Sequence, residues 1–284
     1  MNIEGEYVKV SQFKELNLLQ QIDTRRDEIN ITKSFMSERQ SITHNDFTIN
    51  IHPEKLNGKQ FQYTTNTKRL LAFIQAEFTS SRNDEIIFSI RDFADICNRT
   101  GIADLSKQIR ADLMMLDAIS FDIKVKNGAI HTFLFESYSV HYGIITIKLA
   151  TELFDVWKKR LGAMNLPLAY FIISAREHFF ASDFLYYISW MRFLENKNKK
   201  HENILSIKSM LSVSLLPSPE QVRKTSNRSI KERIYKRFFG AIRAMEAIVV
   251  ATFYRGDKQM TEKEIMQLPY YEFVKITIHF EWIR

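Results

Sequence analysis

Between residues 67 and 135 the spacing of apolar side chains switches between the helical and the extended period in one fixed order, and that order leaves few folds open. Leu70, Leu71, Ile74 and Phe78 recur at helical spacing from Thr67 to Phe78, and Glu85 to Ile90 is a short strand. Ser89 stands where a helix from Arg91 to Asn98 needs its cap. Thr100-Gly101 then breaks the chain, and a second helix from Asp104 to Asp117 keeps Leu105, Ile109, Leu113 and Leu116 on its inner face. Two strands follow, Ile119 to Lys126 and Ala129 to Phe135, joined by Asn127-Gly128, a strong signal for a tight turn. Helix, strand, helix, helix, hairpin is the order of a winged helix-turn-helix module, in which the third helix enters a major groove and the hairpin wing meets the flanking backbone.

A looser copy of the order lies downstream. Phe184 to Leu194 reads as a bulky helix, Asn203 to Ile207 as a short strand, Lys208 to Val213 as a short helix, and Ser226 to Ala247 as a long one after the turn marked by Pro217 and Pro219. Ile248 to Tyr254 is a β-branched and aromatic strand, Arg255-Gly256-Asp257 a turn, and Phe273 to Trp282 a closing strand. Between the copies, Ile144 to Ile147 reads as a strand and Thr151 to Arg160 as a helix at the joint of two domains. The cations Lys158, Lys159 and Arg160 before Gly162 suit a helix C-terminus as well as they suit DNA. The sequence therefore predicts an α+β chain of two tandem winged-helix domains: a polar, charge-mixed arm over 1–45, a first module over 46–160 and a second over 161–284. At the start of the first module, Phe47, Ile49 and Ile51, then Asn57-Gly58, then Phe61 and Tyr63 predict a further hairpin.

Composition narrows the class. The 284 residues hold 8 Gly and 5 Pro against 22 Phe and 11 Tyr, so long linkers are scarce and large groups must be buried or stacked. The net charge of +7 draws a polyanion to the surface. One cysteine, Cys97, cannot close an internal disulfide, the N-terminus lacks the regions of a secretory signal, and the longest apolar stretch, Leu166 to Phe180, is broken by Arg176, Glu177 and His178. These features lead to the expectation of a cytoplasmic protein that does not enter a membrane. No phosphate loop ending in Gly-Lys-Ser or Gly-Lys-Thr and no dinucleotide fingerprint occurs, so no ATPase or helicase activity is expected. The histidines at 44, 52, 131, 141, 178, 201 and 279 show no metal-ligand spacing, and Cys97 sits in an apolar helix where a buried thiol is the ordinary role. No catalytic residue, metal site or cofactor is expected.

The segment from Lys224 to Arg243 is crowded with Lys and Arg against the single acid Glu232. With Ile234 at the centre of a buried stripe, Ile230, Phe238, Ala241, Met245 and Ile248 lie beside it, while Ser229, Glu232, Lys236, Gly240 and Arg243 fall opposite and Arg233 and Phe239 flank them. A groove-reading helix needs this division between an anchoring side and a cationic one. Phe239, turned outward by the same construction, either reaches DNA or packs on the first module. In the earlier helix Lys107, Arg110, Ala111 and Met114 face outward. Lys124 and Lys126 share one face of the first wing, and Arg255 and Lys258 mark the second, where they either contact phosphates or protect a sheet edge. The candidate DNA-binding residues are thus Lys107, Arg110, Lys124, Lys126, Lys224, Arg228, Lys231, Arg233, Lys236, Arg243, Arg255 and Lys258.

Over about residues 47 to 284 this order, with Thr67-Lys-Arg-Leu-Leu-Ala-Phe73, Ile144-Ile-Thr-Ile-Lys-Leu149 and Ser229-Ile-Lys-Glu-Arg-Ile-Tyr-Lys236, resembles the iteron-binding plasmid replication initiators. The resemblance implies that the second module reads part of a repeated origin sequence through Arg228, Lys231, Lys236 and Arg243. It also implies that the first reads another part through Lys107 and Arg110 or forms a homodimer. The host replication initiator and a helicase loader would then be recruited to double-stranded DNA. The chain departs from the pattern in its aromatic stretch from Tyr170 to Phe193. A transcriptional repressor built from the same modules is the nearest rival reading. An adaptor that docks other proteins on Phe171, Phe179, Phe180, Phe184, Tyr186, Tyr187, Trp190 and Phe193 is a further one.

Overall fold

The computed structural model describes residues 3–11, 40–44, 47–59, 61, 63–125, 128–159, 162–174, 178, 180–197, 203–213, 216, 219–225 and 229–283. The chain separates into two compact units, Met1–Met164 and Asn165–Arg284. The apolar spacing of Phe13, Leu16, Leu18 and Leu19 predicts a short helix within the arm, and those residues lie outside the described ones.

The first unit opens with strands β1 (Ile3–Glu4) and β2 (Tyr7–Ser11), an antiparallel pair inside the stretch expected to be a polar arm. Val8 and Val10 are fully buried, and the Ser11 amide donates to Thr79 Oγ1 at 2.7 Å, so β2 is built into the fold rather than projecting from it. Strand β3 (Gln40–His44) pairs with β4 (Phe47–Ile51). The expected partner of β4, Phe61 to Tyr63, is not a strand: Pro53–Leu56 coils into a 3₁₀ turn that ends with Asn57 in the left-handed region (φ 50). The Asn57-Gly58 signal was a genuine left-handed turn, spent on ending a short helix rather than on joining two strands.

Helix α1 (Thr65–Ser81) then carries the unit's core, with a reciprocal cap between Thr64 and Thr67 and with Leu70, Leu71, Phe73 and Phe78 fully buried. Strand β5 (Glu85–Ser89) ends at Ser89, whose hydroxyl caps α2 (Ile90–Ile96), while Phe88 and Phe93 meet Phe73 edge-on. Helix α3 (Ile102–Asp117) buries Leu105, Ile109, Leu113 and Leu116, as its spacing predicted. Each such side chain contributes about 1.5–3 kcal/mol of burial, which fixes the helix by one face.

Strands β6 (Ile119–Val125) and β7 (Gly128–Phe133) form the expected hairpin, but not as the wing. Strand β6 pairs with β4, giving a four-stranded sheet in the order β3-β4-β6-β7. The wing is the next hairpin, β8 (Phe135–His141) and β9 (Ile144–Leu149), and β9 pairs antiparallel with β5. Alternating polar residues in Glu136-Ser-Tyr-Ser139 weaken the strand signal of β8, and only the pairing with β5 identifies which hairpin flanks the helices. Helix α4 (Thr151–Lys159) sets Trp157 against Phe78, and β10 (Ala163–Pro167) spans the point where the two units divide.

In the second unit a short α5 (Ala169–Ile172) leads to α6 (Ala181–Lys197), which buries Phe184, Leu185, Tyr186 and Ile188. Tyr170, Phe171 and Phe180 are buried too, so these rings of the aromatic stretch are core rather than an adaptor's docking surface. Strand β11 (Ile204–Ser206) ends at Ser206, which caps α7 (Ile207–Ser212). Helix α8 (Pro219–Thr225) precedes a π-helical turn over Lys231–Tyr235 that runs into α9 (Lys236–Arg243). The continuous helix expected from Ser226 to Ala247 is thus described only from Ile230, contains a π turn, and gives way to turns after Arg243. Strands β12 (Val249–Arg255) and β13 (Lys258–Met260) are followed by α10 (Glu262–Ile265), α11 (Tyr270–Phe273) and β14 (Thr277–Trp282). The closing strand therefore starts later than expected, because the aromatic residues Tyr270 to Phe273 coil into a helix.

The two units repeat one plan. In the first the strand order is β5-β9-β8, and in the second β11-β14-β12 with β13 added at the edge, both antiparallel. In both, a serine hydroxyl caps the short second helix at 3.0–3.1 Å. The first amide of that helix bonds the carbonyl just before the last strand: Ile90 to Gly143 at 2.8 Å, Ile207 to Ile276 at 2.9 Å. Phe-Ser-Ile-Arg91 and Leu-Ser-Ile-Lys208 are the sequence trace of this shared joint.

Candidate nucleic-acid interface

The helix of the second unit is anchored more broadly than a uniform 3.6-residue repeat predicts. Ile234, Tyr235, Phe238, Phe239, Ala241, Ile242 and Met245 are all buried. Tyr235 stacks on Phe273 at 3.9 Å between ring centres, Phe238 meets Phe184 at 5.5 Å and Phe239 meets Phe253 at 5.4 Å. Phe239 therefore packs against Phe253 inside its own unit rather than turning outward. The π turn inserts nearly a residue's worth of rotation ahead of α9 and widens the anchoring arc. Lys231, Glu232, Lys236, Arg237 and Arg243 remain exposed.

That face is less starkly cationic than the sequence suggested. Lys236 pairs with Glu232 at 2.6 Å, and Arg243 holds both carboxylate oxygens of Glu262 at 2.7 and 2.8 Å. Arg255 pairs with Glu272 at 2.7 Å, Lys258 with Glu264 at 3.1 Å, and Lys231 donates to Gln267 at 3.4 Å. Apart from Glu232, these acids come from the α10–α11 segment, which folds back beside a helix whose own sequence holds almost none. Glu264 accepts from the Thr261 amide, from Lys258 and from the Thr261 hydroxyl, which hold its carboxyl down at about 2. Exposed pairs of this kind contribute about 0–1 kcal/mol, so a phosphate oxygen can take a carboxylate's place at little cost. Arg237 is exposed with no ion pair among the described residues, and the candidate set had left it out. Arg233 is half-buried with its Nε unpartnered, so it does not belong to the outer face.

In the first unit Lys107, Arg110 and Ala111 are exposed on α3 and Met114 is half-buried. Arg110 is also a strut: its guanidinium donates to the Val140 carbonyl at 2.9 Å and ties α3 to the wing strand β8. On the opposite side Asp112 is buried and accepts from the Thr67 hydroxyl at 2.6 Å. Burial raises its carboxyl to about 6, against the opposing hydrogen bonds of Thr67 and Gln108 and the charge of Arg99. Sequence reasoning passed over Asp112, although its spacing from Leu105 and Ile109 puts it on the apolar face, a position an acid takes only with partners.

Lys124 is exposed on β6, in the four-stranded sheet and not on the wing, which corrects its assignment. Lys126, Arg228 and the side chain of Lys224 lie outside the described residues. Burial drives the Cys97 thiol up to about 11, against the charges of Arg69 and Arg99, which makes it an inert core group. The cations of the Thr67–Phe73 motif, Lys68 and Arg69, are buried in α1 and are not part of any outer surface. Among the described residues no three His, Cys, Asp or Glu gather as a metal site, and no helix is long and apolar enough to cross a membrane.

Fold and surface together define a tandem winged-helix chain, each unit presenting one helix between an apolar anchor and a charged outer face. No protein-family profile and no curated protein sequence matches it. Among solved structures, the Pi initiator protein in complex with iteron DNA is similar with a TM-score of 0.49 and 13% identity, over 85% of this chain and 98% of that one. Domains 2 and 3 of RctB are similar with a TM-score of 0.45 and 7% identity, over 92% of this chain and 99% of that one. A longer RctB fragment, residues 155–483, gives 0.42 and 9% over 79% of each chain.

Proposed function

We propose that the chain is a non-catalytic double-stranded-DNA-binding protein that initiates plasmid replication, reading repeated origin sequences with one helix from each unit. The observation that carries this reading is the duplication itself. Each unit seats a helix by an apolar face, leaves cations outward, and sets the same order of three strands beside it, extended in the second unit by a fourth strand, β13. Two different readers on one chain address an unsymmetrical site, which suits direct repeats. A repressor acting through a two-fold dimer would take inverted ones. The contact surface is Lys107 and Arg110 on α3 with Lys231, Lys236, Arg237 and Arg243 on the second helix, while Arg255 and Lys258 reach flanking phosphates. Because the sequence carries no motor motif, strand opening is completed by the host initiator and helicase loader that the bound chain recruits.

Selection of duplexes from a random library, followed by footprinting beside the gene, tests the reading. Direct repeats are the expected outcome, with affinity falling steeply between low and moderate salt. Lys236→Glu with Arg243→Glu abolishes binding while the fold is retained. Protection confined to a promoter palindrome, together with replication of a plasmid that lacks the gene, overturns the initiator role in favour of a repressor. A salt-independent response removes DNA binding itself.

A further inference from the structure

The tip of the first unit's wing holds an aromatic ring that the fold does not use. Tyr142 is fully exposed, at 104% of its reference area, and stands at φ 49 at the apex of the two-residue loop between β8 and β9, followed by Gly143 at φ 80. A loop with both central residues at positive φ is cheap for Asn-Gly or Gly-Gly and costly for an aromatic residue. Tyr142 recovers none of that cost through packing, because its ring touches no other ring and its hydroxyl bonds nothing among the described residues. The apex is nevertheless held firmly. The Ile90 amide donates to the Gly143 carbonyl at 2.8 Å, and Arg110 of α3 grips Val140 at 2.9 Å. The backbone that carries the ring is therefore held at a fixed offset from α3.

From Ser139 to Thr146 the chain has no Lys, Arg, Asp or Glu, and Ile144 beside the apex is 44% exposed. A wing that clasps phosphates needs cations, and this one offers an apolar wedge instead. Resting on the DNA-binding reading above, we infer that Tyr142 enters the minor groove of duplex DNA next to the site occupied by α3. The minor groove, about 6 Å wide, admits a phenol ring edge-on, and apolar side chains wedge there against base steps without reading phosphates.

The test uses the full chain and the duplexes that the wild type selects from a random library. Tyr142→Asn fits the left-handed loop position better and folds with an equal or higher melting temperature. Its dissociation constant on those duplexes rises by about tenfold, the order expected for losing one aromatic contact to a base. The salt slope stays unchanged, since no phosphate contact is lost. Tyr142→Phe keeps the affinity. Pre-filling the minor groove with netropsin weakens the wild type and leaves Tyr142→Asn unaffected. If Tyr142→Asn binds like the wild type and netropsin has no effect while Lys107→Glu still weakens binding, the wedge is refuted and the DNA reading stands. If the wild type enriches no duplex at all, the DNA reading falls and takes the wedge with it.

Discussion

Replacing Asp112 by asparagine should stabilise the first unit at neutral pH and do so progressively less as the solution is acidified. Asp112 lies on the buried side of α3, and burial lifts its carboxyl from 3.8 to about 6. Between those two values the folded chain keeps a proton that the unfolded chain has released. The residue's favourable contribution is therefore complete below pH 3.8 and is lost as the pH rises through about 6. A difference of about two pH units, at about 1.4 kcal/mol each, makes the ionised carboxylate about 3 kcal/mol costlier to fold than its protonated form. The asparagine side chain never ionises, and its amide oxygen still accepts from the Thr67 hydroxyl while Gln108 turns its own carbonyl toward the new NH₂. Gains of up to about 3 kcal/mol at about pH 7.5, shrinking toward zero at about pH 4, are expected. Urea dependence of hydrogen exchange at the amides of α1 and α3 isolates this unit from the other. The hydrogen bonds from Thr67 and Gln108 and, after them, the charge of Arg99 are the competing influences. Should the variant prove less stable at neutral pH, or show one and the same difference in neutral and acid solution, Asp112 is a paired carboxylate and the desolvation argument is wrong.

Two further outcomes follow from the same geometry. Ser89→Ala and Ser206→Ala each remove one cap from an equivalent helix, so each should cost about 1 kcal/mol in its own unit, measured by the same exchange experiment. A cost confined to one of the two would show that the joints are not equivalent. Glu262→Gln releases Arg243 from its bidentate partner; stability should move by less than about 0.5 kcal/mol while duplex affinity rises and the salt slope steepens by about one counterion. A weakened complex would mean that Glu262 aims Arg243 at DNA rather than competing for it.

Local features carried most of the architecture. Apolar period and Ser89 as a cap each specify conformations within a few residues, and α1, α2, α3 and the β6–β7 hairpin all formed close to where the spacing put them, although Asn127 of the expected turn lies outside the described residues and Gly128 already belongs to β7. The wing was misassigned because two hairpins follow α3, and what makes one of them the wing is its partner strand β5, which lies far earlier in the chain on the other side of α2 and α3. Nothing inside β8, with its mixed polar face, announces that pairing.

The charged surface failed to be legible for a related reason. Charge was weighed along one helix, where Glu232 is the lone acid from Lys224 to Arg243, yet the field over that helix is set by whatever the fold brings beside it. Glu262, Glu264 and Glu272 arrive from the stretch between the turn at Arg255-Gly256-Asp257 and the closing strand expected from Phe273, a stretch that was assigned no element, and they pair with Arg243, Arg255 and Lys258 of the cations that were to meet DNA. Glu262 and Glu264 are exposed, exchangeable stand-ins for a phosphate, whereas Glu272 is largely covered and shared between Arg255 and Lys275. This pairing changes the expectation for affinity. Binding must displace these acids as well as counterions, so nonspecific attraction is muted and contacts that need no charge, in the grooves, gain in relative weight.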